Sequence, residues 1–479
     1  MAAAGLFMGH LSNYVLFTKT LTAQQFTALT VIMVIARIFD AFNDPVMGNI
    51  LDVTRTRWGK FKPWIFSGCI STVAVVVVSF TNTLQGWSYV ILFGVMYLAF
   101  SVTYTMNDIS YWGMLPSLTS NADDRNKLMC LTNIMCGVAA FLCGLIVPTF
   151  TAGKRVIGGS AVTAYAALAM LFCSLMLVTQ SLTLIGVKER PLPAKSAAAG
   201  NVSINAIIGV IKGNDQVMWN GILLFLHFIV YMLVATMAPI YLYLSFGYNG
   251  ALTSIFTTAG MLAASFVIFL FTPISRRFSR KSLVRTGLSI SVTGYFLLLL
   301  FGSFWPGNLS EYKFYALTGA NMLVGLENVF YLILLVNIAN CVEYNEYITG
   351  NRNEGIIFSV RAFVSKLGMA VGLLLSMLIY LAVGVLGFTN RISEIENAVV
   401  RGEILPDAKS ELIDAVIREV SAGSANALLC FLSLIPLICL IVAYVIYSKK
   451  IILSEEKYDE IVRELTARIS PETVETVNA

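Results

Sequence analysis

The chain has 479 residues, 57% of them hydrophobic and only 12% charged, with a formal net charge of +5. A soluble domain carries about 25% charged residues, so this composition excludes a soluble enzyme, a disordered chain and a nucleic-acid binder. Eight cysteines without a C-x-x-C pair, and only two histidines (His10 and His227), argue against a disulfide framework, a zinc site or a histidine-based metal centre.

Crossing a bilayer takes about 20 apolar residues. Suitable runs fall near 1–18, 25–50, 65–82, 88–113, 130–149, 161–186, 218–245, 251–273, 283–304, 314–342, 358–386 and 425–447. In hydrocarbon each must be a helix, because backbone polar groups have to be satisfied within their own segment. The first run has no A-x-A-like site after it and is read as a span rather than a cleaved signal peptide. The predicted fold is an all-α, multi-pass cell-membrane protein of twelve transmembrane helices. They form two six-helix halves, 1–186 and 218–448, joined by a cytoplasmic linker at 187–217 and followed by a cytoplasmic tail at 449–479. With the 50–64 loop inside, more than two thirds of the 32 lysines and arginines fall on cytoplasmic segments, as the positive-inside rule requires.

GNILDVTRTRWGKFKPW (48–64) and TPISRRFSRKSL (272–283) form a weak repeat: both are basic turns between the second and third spans of a half. Two such halves around a central site is the plan of major facilitator transporters. The external loop 387–424 is expected to hold one short surface helix with Leu412, Val416 and Val420 on a common face.

A charge at the bilayer centre costs about 2.5–3.5 kcal/mol on insertion scales, so charges within spans point to function. The second span carries Arg37, Asp40, Asn43 and Asp44. Arg37, Asp40 and Asp44 share a helical face, and the repulsion between the two acids calls for Arg37, a proton or a bound cation. Oxygens of Asp40, Asp44 and the Asn43 amide suit a hard cation. In the fourth span, TYTMNDISYW (103–112), Thr105, Asp108 and Trp112 share a face. An acid beside an aromatic ring suits a sugar, whose hydroxyls donate while its C–H face stacks. The eleventh span places Lys366 near mid-membrane, whereas Arg361 is close enough to the cytoplasm to snorkel. Glu327 in the tenth span has a buried partner or a water cavity. His227, with no acid within a turn of it, reads as a packed polar residue rather than a proton relay.

ARIFDAFNDPVMGNILDVTRTRWGKFKPW (36–64) closely resembles the signature of the glycoside–pentoside–hexuronide:cation symporters, the melibiose permease family. TYTMNDISYWGMLPSLT (103–119) and ANCVEYNEYITGNRNEGIIFSVRAFVSKLG (339–368) are similar to two further family elements, and the resemblance is collinear from about 5 to 448. It implies the major facilitator fold and sugar uptake coupled to Na+, Li+ or H+. The family's cation site maps onto Asp40, Asn43, Asp44 and Thr105, and its sugar site onto Tyr104, Asp108, Trp112 and Lys366. Four family positions differ here: a first-helix acid or amide falls on Ala4, a fifth-helix arginine on Asn133, a polar eleventh-helix residue on Arg361, and an aspartate of the third element on Asn340. The added charge at Arg361 places it among the candidate substrate contacts and suits a hexuronide or sulfonated sugar.

The expectation is therefore a symporter, acting as a monomer in the lipid bilayer, that imports a sugar or glycoside by alternating access. It needs no cofactor beyond the coupling ion, no nucleic acid and no enzymatic chemistry. A lysolipid carrier of the same fold and a non-transporting membrane sensor are the rivals. The first would need an apolar groove open to lipid, and the second a signalling domain larger than the 448–479 tail.

Overall fold

A computed structural model describes the chain except residues 1, 120–121, 190–203, 306–309, 352, 421 and 478–479. Part of the expected linker, residues 190–203, thus lies outside the described residues. The helices, in chain order, are α1 (Ala2–Thr18), α2 (Ala23–Val53), α3 (Lys62–Thr81), α4 (Gly86–Leu118), α5 (Ala122–Thr151), α6 (Ala161–Gly186) and α7 (Ile204–Gly213). They continue with α8 (Asp215–Phe246), α9 (Gly250–Ser275), α10 (Arg280–Phe304), α11 (Ser310–Gly325), α12 (Asn328–Thr349), α13 (Glu354–Val383), α14 (Val385–Val400), α15 (Pro406–Glu419), α16 (Ala422–Lys450) and α17 (Glu455–Val477). Among the described residues, 11 segments are long and apolar enough to cross a membrane, with α11 and α12 sharing one of them (Tyr312–Thr349). The expected first span, 1–18, forms the 17-residue helix α1, which is not one of those 11 segments.

The helix ends follow from local chemistry. Thr22 and Gln25 form a capping box at the start of α2, each side chain bonding the other's backbone N–H at 3.3 and 3.0 Å. Ser160 and Thr163 do the same for α6. Between α13 and α14 the chain turns at Gly384, whose φ of 79° is left-handed and suits a residue without Cβ.

The chain packs into two compact units. The first comprises 1–198, 233–258 and 373–431, and the second 199–232, 259–372 and 432–479. In the first unit α4 lies against α2 and α3, and α3 against α6. Gly68 of α3 allows the close approach to α4, since a Cβ there would sit 2.7 Å from the Asn107 backbone nitrogen. In the second unit α10 packs on α11 and α12, and α12 on α17.

Each unit repeats one device at its basic turn. In the first, the Glu189 carboxylate accepts from the backbone N–H groups of Lys60, Phe61 and Lys62 at 2.7, 3.2 and 2.7 Å. These are orphan donors at the N-terminus of α3, where a negative charge also meets the positive end of the helix dipole. In the second, Glu455 accepts from the backbone N–H of Arg280 at 2.6 Å, at the start of α10, and lies 3.7 Å from the Arg280 Nε. An acid that follows the last span of a half thus closes the start of that half's third span, which gives the weak sequence repeat a structural counterpart.

The 387–424 segment, expected to hold one short surface helix, corrects the sequence reading. It forms two helices, α14 and α15, rather than one. On α15 Leu412 is exposed, while Lys409, Ile413 and Val416 are buried. The inward face is therefore rotated by one residue, and it carries a charge. Lys409 Nζ lies 3.2 Å from Glu396 of α14, both fully buried, and Glu396 also accepts from the Ala161 backbone N–H at 2.7 Å. Asn390 exchanges two hydrogen bonds with the Leu21 backbone, at 2.9 and 2.8 Å, so the loop is tied to the α1–α2 turn as well as to the start of α6.

Candidate functional site

The 31-residue α2 and 33-residue α4 run side by side in the first unit, and their polar residues meet within the apolar surround. Asp44 Oδ1 accepts from the Thr105 hydroxyl at 3.2 Å. Asp40, 8% exposed, accepts from the Ser101 hydroxyl and lies 3.8 Å from Arg37 Nη1. Asn43 Nδ2 donates to the Ser101 carbonyl at 3.2 Å. The four candidate cation ligands thus lie on the facing helices α2 and α4, together with Ser101, which the sequence analysis does not name. The signal for it was its spacing: Ser101 lies one turn before Thr105 and so shares its face. Arg37 also reaches the Tyr97 hydroxyl, so its charge is divided between a carboxylate and a phenol.

One turn along α4, Asp108 is held from both sides. The Tyr104 hydroxyl donates to Asp108 Oδ1 at 3.2 Å, and the Trp112 side chain hydrogen-bonds the same carboxylate. These are i−4 and i+4 neighbours, which lie on one helical face. Trp112 is half-buried and meets the Tyr111 ring edge-on at 6.3 Å. The Tyr104 ring stacks on Phe100 at 5.4 Å, and Phe100 on Phe7 of α1 at 3.8 Å. Asp44 is close enough to Asp108 for their charges to interact. The donor set at Asp40, Asp44, Thr105 and Asn43 is oxygen-rich, as a hard cation or proton requires. Among the described residues no three His, Cys, Asp or Glu side chains gather into a transition-metal site.

Arg361 and Lys366 lie on α13, in the second unit, and both are half-buried. Arg361 does not simply snorkel: its Nη2 donates to the Tyr331 hydroxyl of α12 at 3.3 Å. His227 and Glu327 meet, which gives Glu327 the buried partner that was one of its two alternatives. His227 Nδ1 and Glu327 Oε1 are 2.9 Å apart, and both residues are buried. The acid that the sequence lacked within a turn of His227 arrives from another helix, and Glu327 is not alone.

The family model described as MFS/sugar transport protein matches residues 1–449. Lactose permease of Lactobacillus helveticus is 25% identical over 460 residues, covering 93% of this chain and 66% of that permease. Raffinose carrier protein of Pediococcus pentosaceus is 25% identical over 458 residues, covering 93% and 65%. Isoprimeverose transporter of Lactiplantibacillus pentosus is 27% identical over 389 residues, covering 77% and 76%. The chain thus spans 65–66% of the length of the first two relatives. Among solved structures, the nucleoside transporter NupG superposes with a TM-score of 0.55 at 12% identity, covering 88% of this chain and 96% of the other. A bacterial homologue of the human lysosomal transporter Spinster gives 0.52 at 10% identity, covering 94% and 98%. At such identities the likeness is one of fold. The chain therefore belongs to the MFS/sugar transport protein family, and it is a multi-pass membrane protein of the major facilitator fold.

Proposed function

We propose that the chain is a secondary symporter, acting as a monomer, that imports a sugar or glycoside with Na+, Li+ or H+ by alternating access. The observation that carries this reading is the α2–α4 arrangement. Two carboxylates, Asp40 and Asp44, meet the hydroxyls of Ser101 and Thr105, one turn from an acid gripped by Tyr104 and Trp112. A cation on Asp40, Asp44, Thr105 and the Asn43 amide oxygen would relieve the repulsion between the two acids and lower the negative charge that Asp108 feels. Tyr104 and Trp112 hold the Asp108 carboxylate ready to accept from sugar hydroxyls, and the indole offers a flat face to the C–H side of a pyranose. Each ligand then raises the affinity of the other, which is the coupling a symporter needs. Arg361 and Lys366 are proposed as further substrate contacts on α13. The names of the lactose, raffinose and isoprimeverose relatives support a glycoside cargo.

The test is thermal stabilisation of the purified protein by lactose, raffinose and a methyl glucuronide, with and without Na+ at pH 6 and 8. At least one glycoside should stabilise more strongly with Na+ or at the lower pH. Asp44→Asn should abolish that difference. Equal stabilisation under all conditions, or an undiminished cation effect in D44N, would refute the coupling.

A further inference from the structure

The second unit holds a buried ionisable pair that the cation and sugar sites leave unused. His227 of α8 and Glu327, at the junction of α11 and α12, are 9% and 8% exposed and meet at 2.9 Å. Keeping such groups inside a membrane span is costly. If the only task were to fasten α8 to α12, a neutral amide or hydroxyl would serve at lower cost.

The surroundings are those of an ion site. The tenth span is interrupted where Glu327 sits: α11 ends at Gly325 and α12 begins at Asn328. Across the gap the backbone bonds tighten to i→i−3, with Glu327 N–H to Val324 O at 3.0 Å and Phe330 N–H to Glu327 O at 2.8 Å. Beside the break Gly325 allows the close approach of α9, because a Cβ there would lie 2.6 Å from the Gly260 carbonyl. Interrupted helices in transporters are commonly where coupling ions bind. The His227 ring stacks on Tyr331 of α12, with centroids 4.9 Å apart and planes 11° apart, and the Tyr331 hydroxyl receives the Arg361 guanidinium at 3.3 Å. Among the described residues, Tyr295 of α10 and Cys439 of α16 also sense Glu327. Among the described residues, Arg361 is a fixed charge joined to this cluster, linked through the Tyr331 phenol, which Tyr231 of α8 also senses.

We propose that His227 and Glu327 form a proton-binding site, separate from the Asp40–Asp44 cluster, through which pH acts on Arg361. Without the proton, a neutral imidazole accompanies a carboxylate and the pair carries one negative charge. With it, imidazolium and carboxylate neutralise each other, and the pull on Arg361 through Tyr331 falls. Arg361 is thereby released to other acceptors at acidic pH and drawn back at alkaline pH. The proton site itself stands on geometry alone, whereas its effect on transport rests on the function proposed above.

The chain has only two histidines, so ring-¹⁵N-labelled protein in a His10→Gln background gives a spectrum of His227 alone. In detergent, without any sugar, the His227 signals should change between pH 5 and 9. In Glu327→Gln the anion that favours imidazolium is gone, so the same change should move toward acid. If E327Q cannot be recovered folded, Glu327→Asp, which withdraws the carboxylate by one methylene, should move it in the same direction. Signals that stay constant from pH 5 to 9, or a profile identical in the variant, would overturn the proposal. In vesicles, His227→Gln should flatten the pH dependence of lactose uptake while leaving stimulation by Na+. An unaltered pH profile in H227Q would overturn the link to transport. Failure of the wild type to take up any glycoside would refute the proposed function and leave the titration result standing.

Discussion

Lys409→Met isolates a buried charge in the external loop. Lys409 is 3% exposed, and Glu396 is fully buried. The substitution keeps the length and apolar bulk of the side chain but removes the cation 3.2 Å from the carboxylate, leaving Glu396 with the Ala161 N–H as a neutral donor. Removing one partner of a buried ion pair costs about 3–5 kcal/mol, because the remaining charge is neither solvated nor compensated. For a chain of this size, about 2 °C per kcal/mol gives a fall of roughly 6–10 °C in the apparent melting temperature in detergent. The pH dependence sharpens the test. Burial pushes the Glu396 carboxyl above its usual range, and Lys409 and the Ala161 N–H pull it back. An acid whose folded value is raised binds its proton more tightly folded than unfolded. Its contribution favours the fold at low pH and is lost as pH rises through the raised value. Without Lys409 that value rises further, so K409M should lose most at pH 8 and least near pH 5, where Glu396 can be neutral. Adding Glu396→Gln to K409M should recover a good part of the loss, since no buried charge is then left unpaired. A melting difference that is the same at pH 5 and 8, or one below about 1 kcal/mol, would refute the reasoning.

Thr105→Val keeps the shape of the side chain but removes the hydroxyl that meets Asp44 at 3.2 Å. It should weaken cation stimulation several-fold in a sugar-stabilisation assay while changing the melting temperature of the ligand-free protein little. Glu189→Gln and Glu455→Gln remove the negative charge from the starts of α3 and α10. Each should lower stability by about 1 kcal/mol, read as apparent melting in detergent. The matching position of the two acids predicts effects of similar size. An effect confined to one of them would show that the repeat is not mechanically equivalent in the two units.

Hydropathy made the spans legible, because length and apolarity are properties of a single segment. The facing residues Asp40, Asp44, Thr105 and Asp108 were legible too, since a charge in a span is anomalous wherever its partner lies. What a single segment cannot show is which helix comes opposite. Ser101 drew no notice because a serine is cheap in a span, and its value appears only when α4 brings it to Asp40. His227 and Glu327 were both noticed but separated, because 100 residues of sequence lie between them. The outer loop misled for a related reason. A helical period fixes that one face turns inward, but the choice between the Leu412 and Ile413 faces is made by Glu396, which attracts Lys409.

The same logic separates the two proposed ion sites by their chemistry. Asp40 and Asp44, with hydroxyl and amide oxygens beside them, can hold either a metal cation or a proton, since every donor is oxygen. His227 with Glu327 is different: a protonated imidazole has no lone pair for a metal, and a neutral one offers a single nitrogen to a hard ion that prefers oxygen. Sodium should therefore compete with protons at the first site and not at the second. Asp44→Asn should remove the sodium dependence and leave a residual pH response, while His227→Gln should do the reverse. If the two proposed sites titrate independently, the two substitutions should add in free energy within about 0.5 kcal/mol. A double variant that departs from additivity by more than that would mean that one titrating network, and not two, governs the transporter.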